Sequence, residues 1–365
     1  MCKRCIMDTK DDPQIAFDEN GFCNYCSDYF RKKKEAETKL TDKKTELDSI
    51  IEKIKKSDTG GKYNCIVGVS GGADSTYMVY KAKELGLRPL AVHYDNSWNS
   101  EQSVNNIESL LKKLDIDLFT YVNDWEEFRD LQLSFFKANV IDIELTTDQA
   151  ILAVLHNAAK KHGIKYILTG HNTSTESILP RHWYHYKIDV LNIKSIHRKH
   201  GTKKLKTYPV VSFFERWKTE KYKKIISISL LNFMDYNKKE AKKFLSEKIG
   251  WVDYGGKHFE SVFTRFYQGY ILPRKFGVDK RKAHFSSLIC SGQMTREEAL
   301  VEMSKPAYDE KQMEEDKEFV MKKLGFTSET FENYMKEPPQ SHLDYASFIN
   351  RHYKIMKWLG RNPHY

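Results

Sequence analysis

The chain has 365 residues, enough for two domains or one large domain with appendages, and 40% apolar with 13% aromatic residues can build a sizeable core. Its 60 basic and 50 acidic residues give a formal charge of +10, which favours anionic partners: nucleic acid, nucleotides or acidic sugars. No apolar run approaches the roughly 20 residues of a spanning helix, since Ile225 to Met234 is broken by serines and an asparagine, and no repeat or low-complexity tract suggests disorder.

Four of the six cysteines fall in the first 26 residues, as Cys2-x2-Cys5 and Cys23-x2-Cys26 with seventeen residues between the pairs. Two such knuckles suit a tetrahedral all-thiolate zinc site, each pair wrapping one edge of the metal. Four thiolates leave no open position for catalysis, so the metal would fold a short ribbon. An iron–sulfur cluster is the competing occupant. The start Met-Cys-Lys-Arg-Cys has no signal-peptide apolar stretch. A cytoplasmic protein without disulfides or membrane insertion is therefore expected. Cys65 and Cys290 stand alone and read as core.

Residues 28 to 57 carry Leu40, Leu47, Ile50, Ile51 and Ile54 at helical spacing, predicting an amphipathic connecting helix that ends at Asp58-Thr59-Gly60-Gly61. Cys65 to Val69 then reads as a strand covered on both faces. A helix from Ser75 to Leu85 and a strand at Leu90 to Tyr94 follow. Next come a helix near 100–114, a strand at Leu118 to Val122, helices near 125–138 and 147–162, and a strand at Tyr166 to Thr169. This alternation predicts a doubly wound α/β fold on a parallel sheet, with ligands at the carboxyl ends of the strands. The expected division is a ribbon at 1–30, a connecting helix at 31–60, an α/β domain at 61–215 and a mostly helical region at 216–365. Trp358 and the tyrosines of the last stretch read as core.

Directly after the first strand stands Ser70-Gly71-Gly72-Ala73-Asp74-Ser75. Paired glycines let backbone N–H groups converge on an anion, and the helix that follows aims its positive end there. Ser70 and Ser75 can donate hydroxyl bonds to phosphate oxygens, while Asp74 can hold Mg²⁺ or cap the helix. Neither G-x4-G-K-[ST] nor G-x-G-x-x-G occurs. The string resembles the PP-loop of the N-type ATP pyrophosphatases, HUP-like proteins that grip pyrophosphate and adenylate an oxygen. That resemblance implies ATP and pyrophosphate binding by Val69 to Ser75, by His93 and Asp95 at the second strand end, and by Gly170, His171 and Asn172 at a later one. Ser70, Asp74 and Ser75 would be catalytic. tRNA-modifying relatives tend to continue with an Asp pair before a Glu, whereas this chain has Thr173-Ser174-Thr175-Glu176, leaving Glu176 as the candidate.

The four-cysteine ribbon, the Lys-rich helix, Val-Gly-Val-Ser-Gly-Gly-Ala-Asp-Ser, and Arg274 to Phe285 followed by Leu288-Ile-Cys-Ser-Gly292 together resemble the N-acetyl sugar amidotransferase family of the WbpG and PseA type. That family is linked to lipopolysaccharide O-antigen and flagellar glycan biosynthesis. The resemblance covers residues 1 to roughly 304. It implies adenylation of an acetamido oxygen on a nucleotide-activated sugar, displacement of AMP by ammonia, and an acetamidino product. No glutaminase domain is visible, so separate glutaminase and cyclase-like subunits, resembling those of histidine biosynthesis, are the implied ammonia source. Acceptor or phosphate candidates are Glu176, Arg181, His182, Trp183 and His185, with the basic cluster Arg274, Lys275, Lys280, Arg281, Lys282 and His284. Two other classes fit less well. One is a tRNA-modifying PP-loop enzyme, joining lysine or transferring sulfur. The other is a zinc-ribbon module that only senses nucleotide.

Overall fold

The computed structural model describes residues 1–39, 42–57, 60–256 and 259–350; Leu40, Asp58, Thr59 and Trp358 lie outside them. Five strands form a wholly parallel sheet in the order β3-β2-β1-β4-β5. They are β1 Cys65–Gly68, β2 Pro89–Asp95, β3 Leu118–Val122, β4 Tyr166–Thr169 and β5 Ile226–Ser229. Ile66 pairs with Leu90 on one side and Ile167 on the other, so β1 is central.

Successive side chains of a strand point to opposite faces, and the two cores follow from that. Ile66, Leu90, Val92 and Ile167 pack with Phe128, Leu131, Val154 and Ala158 from the helices Trp125–Lys137 and Leu145–His162. Cys65, Val67, Ala91 and Leu168 pack on the other face with Met78, Val79 and Ala82 of Ala73–Glu84, Ile51 and Ile54 of Lys43–Lys56, and Leu245 of Lys238–Ile249. With both faces covered, the inner strands read as continuous apolar runs.

Three elements depart from expectation. The single connecting helix is two, Asn24–Lys39 and Lys43–Lys56; Asp42 caps the second by accepting from the backbone N–H groups of Lys44 and Thr45. The strand β5 was not anticipated. The ribbon does not stand apart: Lys282 reaches Asp8 and Asp11 at 3.2 and 2.9 Å, and the Arg296 Nε donates to the Cys5 carbonyl at 3.3 Å. Residues 262–336 are helical apart from their turns, and among the described residues no helix is long and apolar enough to cross a membrane.

Candidate active site

Consecutive connections leave β1 toward β2 and β3, and the chain later returns on the other side of β1 as β4. The carboxyl ends of β1 and β4 therefore flank the switch point, where open α/β sheets bind ligands. The Ser70–Ser75 loop leaves β1 there. Gly71 adopts φ +79°, and a Cβ on it would meet the Ser103 carbonyl oxygen at 2.5 Å. Its carbonyl is fixed by the Trp251 indole N–H at 3.0 Å. Gly72 starts the helix Ala73–Glu84 without a side-chain cap, which leaves the first-turn N–H groups directed at the loop. The Ser70 and Ser75 hydroxyls lie 3.2 Å apart. Gly170 ends β4 so close to this helix that a Cβ would sit 2.8 Å from the Ser75 nitrogen.

The loop opens into a cleft of about 1440 Å³. Among the residues expected to bind ATP, Val69, Ser70, Ser75, His93, Gly170 and His171 line it. His93 donates through Nδ1 to the Val69 carbonyl at 2.8 Å, and Nε2 faces the Asn99 amide at 3.0 Å, so the ring is held at both nitrogens. Glu176 lines the cleft as well and pairs with His171 Nδ1. His284 lines it with Nδ1 against the Thr175 carbonyl at 3.0 Å.

The other expected residues have different partners. Asp74 accepts from the Tyr236 hydroxyl through one oxygen, and its other oxygen lies 3.6 Å from Lys238 Nζ. It does not cap the helix, whose N-cap is Gly72. Burial and the Asp74 charge push the Tyr236 phenol well up, keeping it a donor. Asp95 holds the turn at Ser97 and Asn99. Asn172 is buried and caps the short helix Thr173–Glu176.

Arg181 is exposed and does not line the cleft. His182 and Trp183 bond the Asp11 carbonyl at 2.9 and 3.0 Å, and His185 pairs with buried Asp189 at 2.9 Å. Arg274 stacks on Tyr270, its guanidinium 4.1 Å from the ring centre. Lys275 caps the helix Ser328–Lys336 through the Tyr334 and Glu337 carbonyls. Lys282 serves the ribbon. Of the basic cluster, Lys280, Arg281 and His284 line the cleft. They are joined by residues the motifs did not mark, among them Glu144, Lys187, Lys238, Lys239 and Glu260.

Cys2, Cys5, Cys23 and Cys26 are buried with their sulfurs within 4.8 Å of one another. The Cys5–Cys23 and Cys2–Cys26 separations of 3.6 and 3.9 Å match the edge of about 3.8 Å expected for one tetrahedral ion with metal–sulfur bonds of about 2.3 Å. Burial opposes the Cys2 thiolate, but N–H groups of Cys5, Cys23 and Arg4 outweigh it and bring its pKa down to about 7, whereas hydrogen bonds among the thiols and burial push those of Cys5, Cys23 and Cys26 up. The four thiols thus fit a single metal ion. Cys290 is not merely core: its sulfur lies 3.6 Å from that of Cys26.

Residues 260–359 match the family model described as LPS biosynthesis protein WbpG-like, C-terminal domain. An uncharacterized protein of Methanocaldococcus jannaschii is 29% identical over 171 residues, 47% of this chain, and the match spans 58% of that relative's length. Two solved structures show low similarity. NMN synthetase from Francisella tularensis is 14% identical with a TM-score of 0.30, covering 62% of this chain and 93% of its own. The U34-tRNA thiolase NcsA from Methanococcus maripaludis, with its [4Fe-4S] cluster, is 12% identical at a TM-score of 0.33, covering 80% and 86%. Similarity of that size assigns neither activity nor ligand. The segment that matches the WbpG-like C-terminal domain model includes cleft-lining residues from Glu260 through Gln268 to His284, so it shares a cleft with the Ser70–Ser75 loop.

Proposed function

We propose that the protein is an ATP-dependent amidotransferase acting on the N-acetyl group of a nucleotide-activated sugar in surface polysaccharide synthesis. One observation carries this: the WbpG-like domain and the phosphate-type loop line the same cleft. An acetamide carbon is unreactive because its oxygen is a poor leaving group. Attack of that oxygen on the α phosphorus of ATP expels pyrophosphate and leaves an O-adenylated imidate. Ammonia then adds at the carbon and AMP departs, leaving an acetamidino group. In this reading the first-turn N–H groups and the Ser70 and Ser75 hydroxyls hold the departing pyrophosphate, and Lys238 offsets its charge. No protein nucleophile is required. Zinc held by Cys2, Cys5, Cys23 and Cys26 would order the ribbon against the WbpG-like domain. Magnesium would be held by Asp74, whose carboxylate keeps lone pairs beyond those that face Tyr236 and Lys238. Ammonia from separate glutaminase and cyclase-like subunits is part of the same proposal.

None of the six cysteines lines the cleft, which favours this reading over sulfur transfer to tRNA. The test mixes the protein, Mg-ATP and ammonium with diacetamido sugar nucleotides or with bulk tRNA. Nucleotide and sugar products are followed by mass spectrometry. AMP and pyrophosphate formed only with a sugar nucleotide, whose mass shifts by the difference between O and NH, are expected. Ser70→Ala should abolish both. AMP formation driven by tRNA would overturn the proposal.

A further inference from the structure

The cleft is larger than the roughly 300–1,000 Å³ of a typical ligand pocket, at about 1440 Å³. Part of its wall is built from charged and polar side chains that three distant segments bring together. Glu144 accepts from the Gln268 amide at 2.9 and 3.1 Å and from Lys280 Nζ at 2.9 Å. Lys187 lies 2.8 Å from Asp142 and 2.8 Å from Asp148. Of these, Glu144, Asp148, Lys187, Gln268 and Lys280 line the cleft, while Asp142 is buried behind them.

Withdrawing such pairs from water costs about what their attraction returns, so they contribute little to stability. Their value is in recognition. Three carboxylates against two ammonium groups leave the patch one unit negative, since Asp142, Glu144 and Asp148 outnumber Lys187 and Lys280. Lys238, Lys239 and Lys242 lie elsewhere on the cleft wall. Glu176, Glu260, Glu297, Glu298 and Glu302 line it too, so the cleft is mixed in charge, and the patch is set apart by carboxylates and ammonium groups held in alternation. A sugar hydroxyl both donates and accepts, and alternating carboxylate and ammonium groups satisfy both demands.

We infer that this patch seats the neutral pyranose ring of the acceptor, whose hydroxyls donate to Glu144 and Asp148 and accept from Lys187 and Lys280. The inference rests on the amidotransferase reading above and names the part of the cleft that recognises the sugar. Binding of UDP-N-acetylglucosamine, UDP and ATP to the full chain is measured by calorimetry, with saturation-transfer NMR reporting on the hexosamine ring protons. The wild type is expected to bind UDP-N-acetylglucosamine more tightly than UDP, with transfer to the ring. Asp148→Asn and Glu144→Gln should each weaken that binding by about tenfold and leave ATP and UDP affinities unchanged. Asp148 is 42% exposed, so its variant keeps the test open if Glu144→Gln does not fold. Unchanged sugar-nucleotide binding in Asp148→Asn would overturn the inference while the amidotransferase reading stands. A wild-type chain that binds UDP-N-acetylglucosamine no more tightly than UDP would also overturn it, and the product assay then decides whether the reading falls with it.

Discussion

The Cys290 sulfur sits 3.6 Å from the Cys26 sulfur, at the end of a helix whose first turn, Lys280 and Arg281, lines the cleft. The ribbon is thus tied to one wall of the candidate active site. Four thiolates would complete a tetrahedral ion, so with metal bound Cys290 would donate its S–H to a ligand sulfur and not act as a fifth ligand. Cys26→Ser should abolish the bound metal and lower the melting temperature. Cys290→Ala should keep one metal per chain but bind it roughly tenfold more weakly, as expected when a group supporting a ligand is lost. Metal content by atomic emission and release to a chelator separate the two.

Gly71 and Gly72 should respond differently to alanine. At Gly71 the left-handed φ costs an L residue about 1–2 kcal/mol, and its Cβ would strike the Ser103 backbone at 2.5 Å. Gly72 has φ −71°, and its nearest neighbours are side-chain oxygens of Tyr254, Ser70 and Glu260 at 3.0 to 3.3 Å. Gly71→Ala is expected to destabilise the protein and eliminate ATP binding. Gly72→Ala should fold and bind ATP with reduced affinity. Thermal unfolding and ATP titration of the two variants provide the comparison.

The loop was legible because its function needs consecutive residues: two glycines, two hydroxyls and a helix start. The inner strands were legible because burial on both faces makes them short apolar runs. The strand β5 leaves a weaker signal, since Ile226-Ser-Ile-Ser is a short edge strand with Ile226 exposed and no continuous apolar run to mark it. Glu144, Lys187 and Gln268 left no local signal, since each is an ordinary polar residue until the fold brings the three together. Lys275 and Lys282 show the converse. A run of basic residues on a helix radiates in all directions, and only the fold shows that one caps a helix, one holds the ribbon, and Lys280 between them faces the cleft.

Stability should fall in mild acid through His342. Its ring stacks on His185 at 4.5 Å, Nδ1 donates to Asn192 at 2.8 Å, and Nε2 accepts the Asp142 N–H at 3.3 Å, which fixes the neutral tautomer. Burial, then the neighbouring His185 and Lys187 against Asp142 and Asp189, lowers its pKa to about 3. The unfolded chain takes up a proton near pH 6.5, whereas the folded chain refuses it until about pH 3. The stability present above pH 6.5 is therefore lost progressively between those values, by about 2 kcal/mol from pH 6.5 to 5. His342→Gln, though less stable at neutral pH, should show a smaller drop in melting temperature over that interval. An unchanged slope would mean that another group carries the acid sensitivity.

Lys282 and Lys275 should affect stability more than catalysis. Lys282 is largely buried between Asp8 and Asp11, and its loss leaves two carboxylates beside the metal ribbon without their cation. Lys282→Ala is expected to cost about 2 kcal/mol, and Lys275→Ala somewhat less, because the carbonyls it caps are nearer to solvent. Neither side chain lines the cleft, so KM for ATP and for the sugar nucleotide should stay within about twofold of wild type wherever the variant is folded. Lys280→Ala should do the opposite, raising KM for the sugar nucleotide with a smaller change in melting temperature, since it leaves Glu144 one bond short but still held by Gln268. Parallel unfolding curves and initial-rate measurements on the three variants decide the matter. A large KM effect in Lys282→Ala would mean that the ribbon moves the cleft wall through the helix Lys280–Cys290 as well as bracing it.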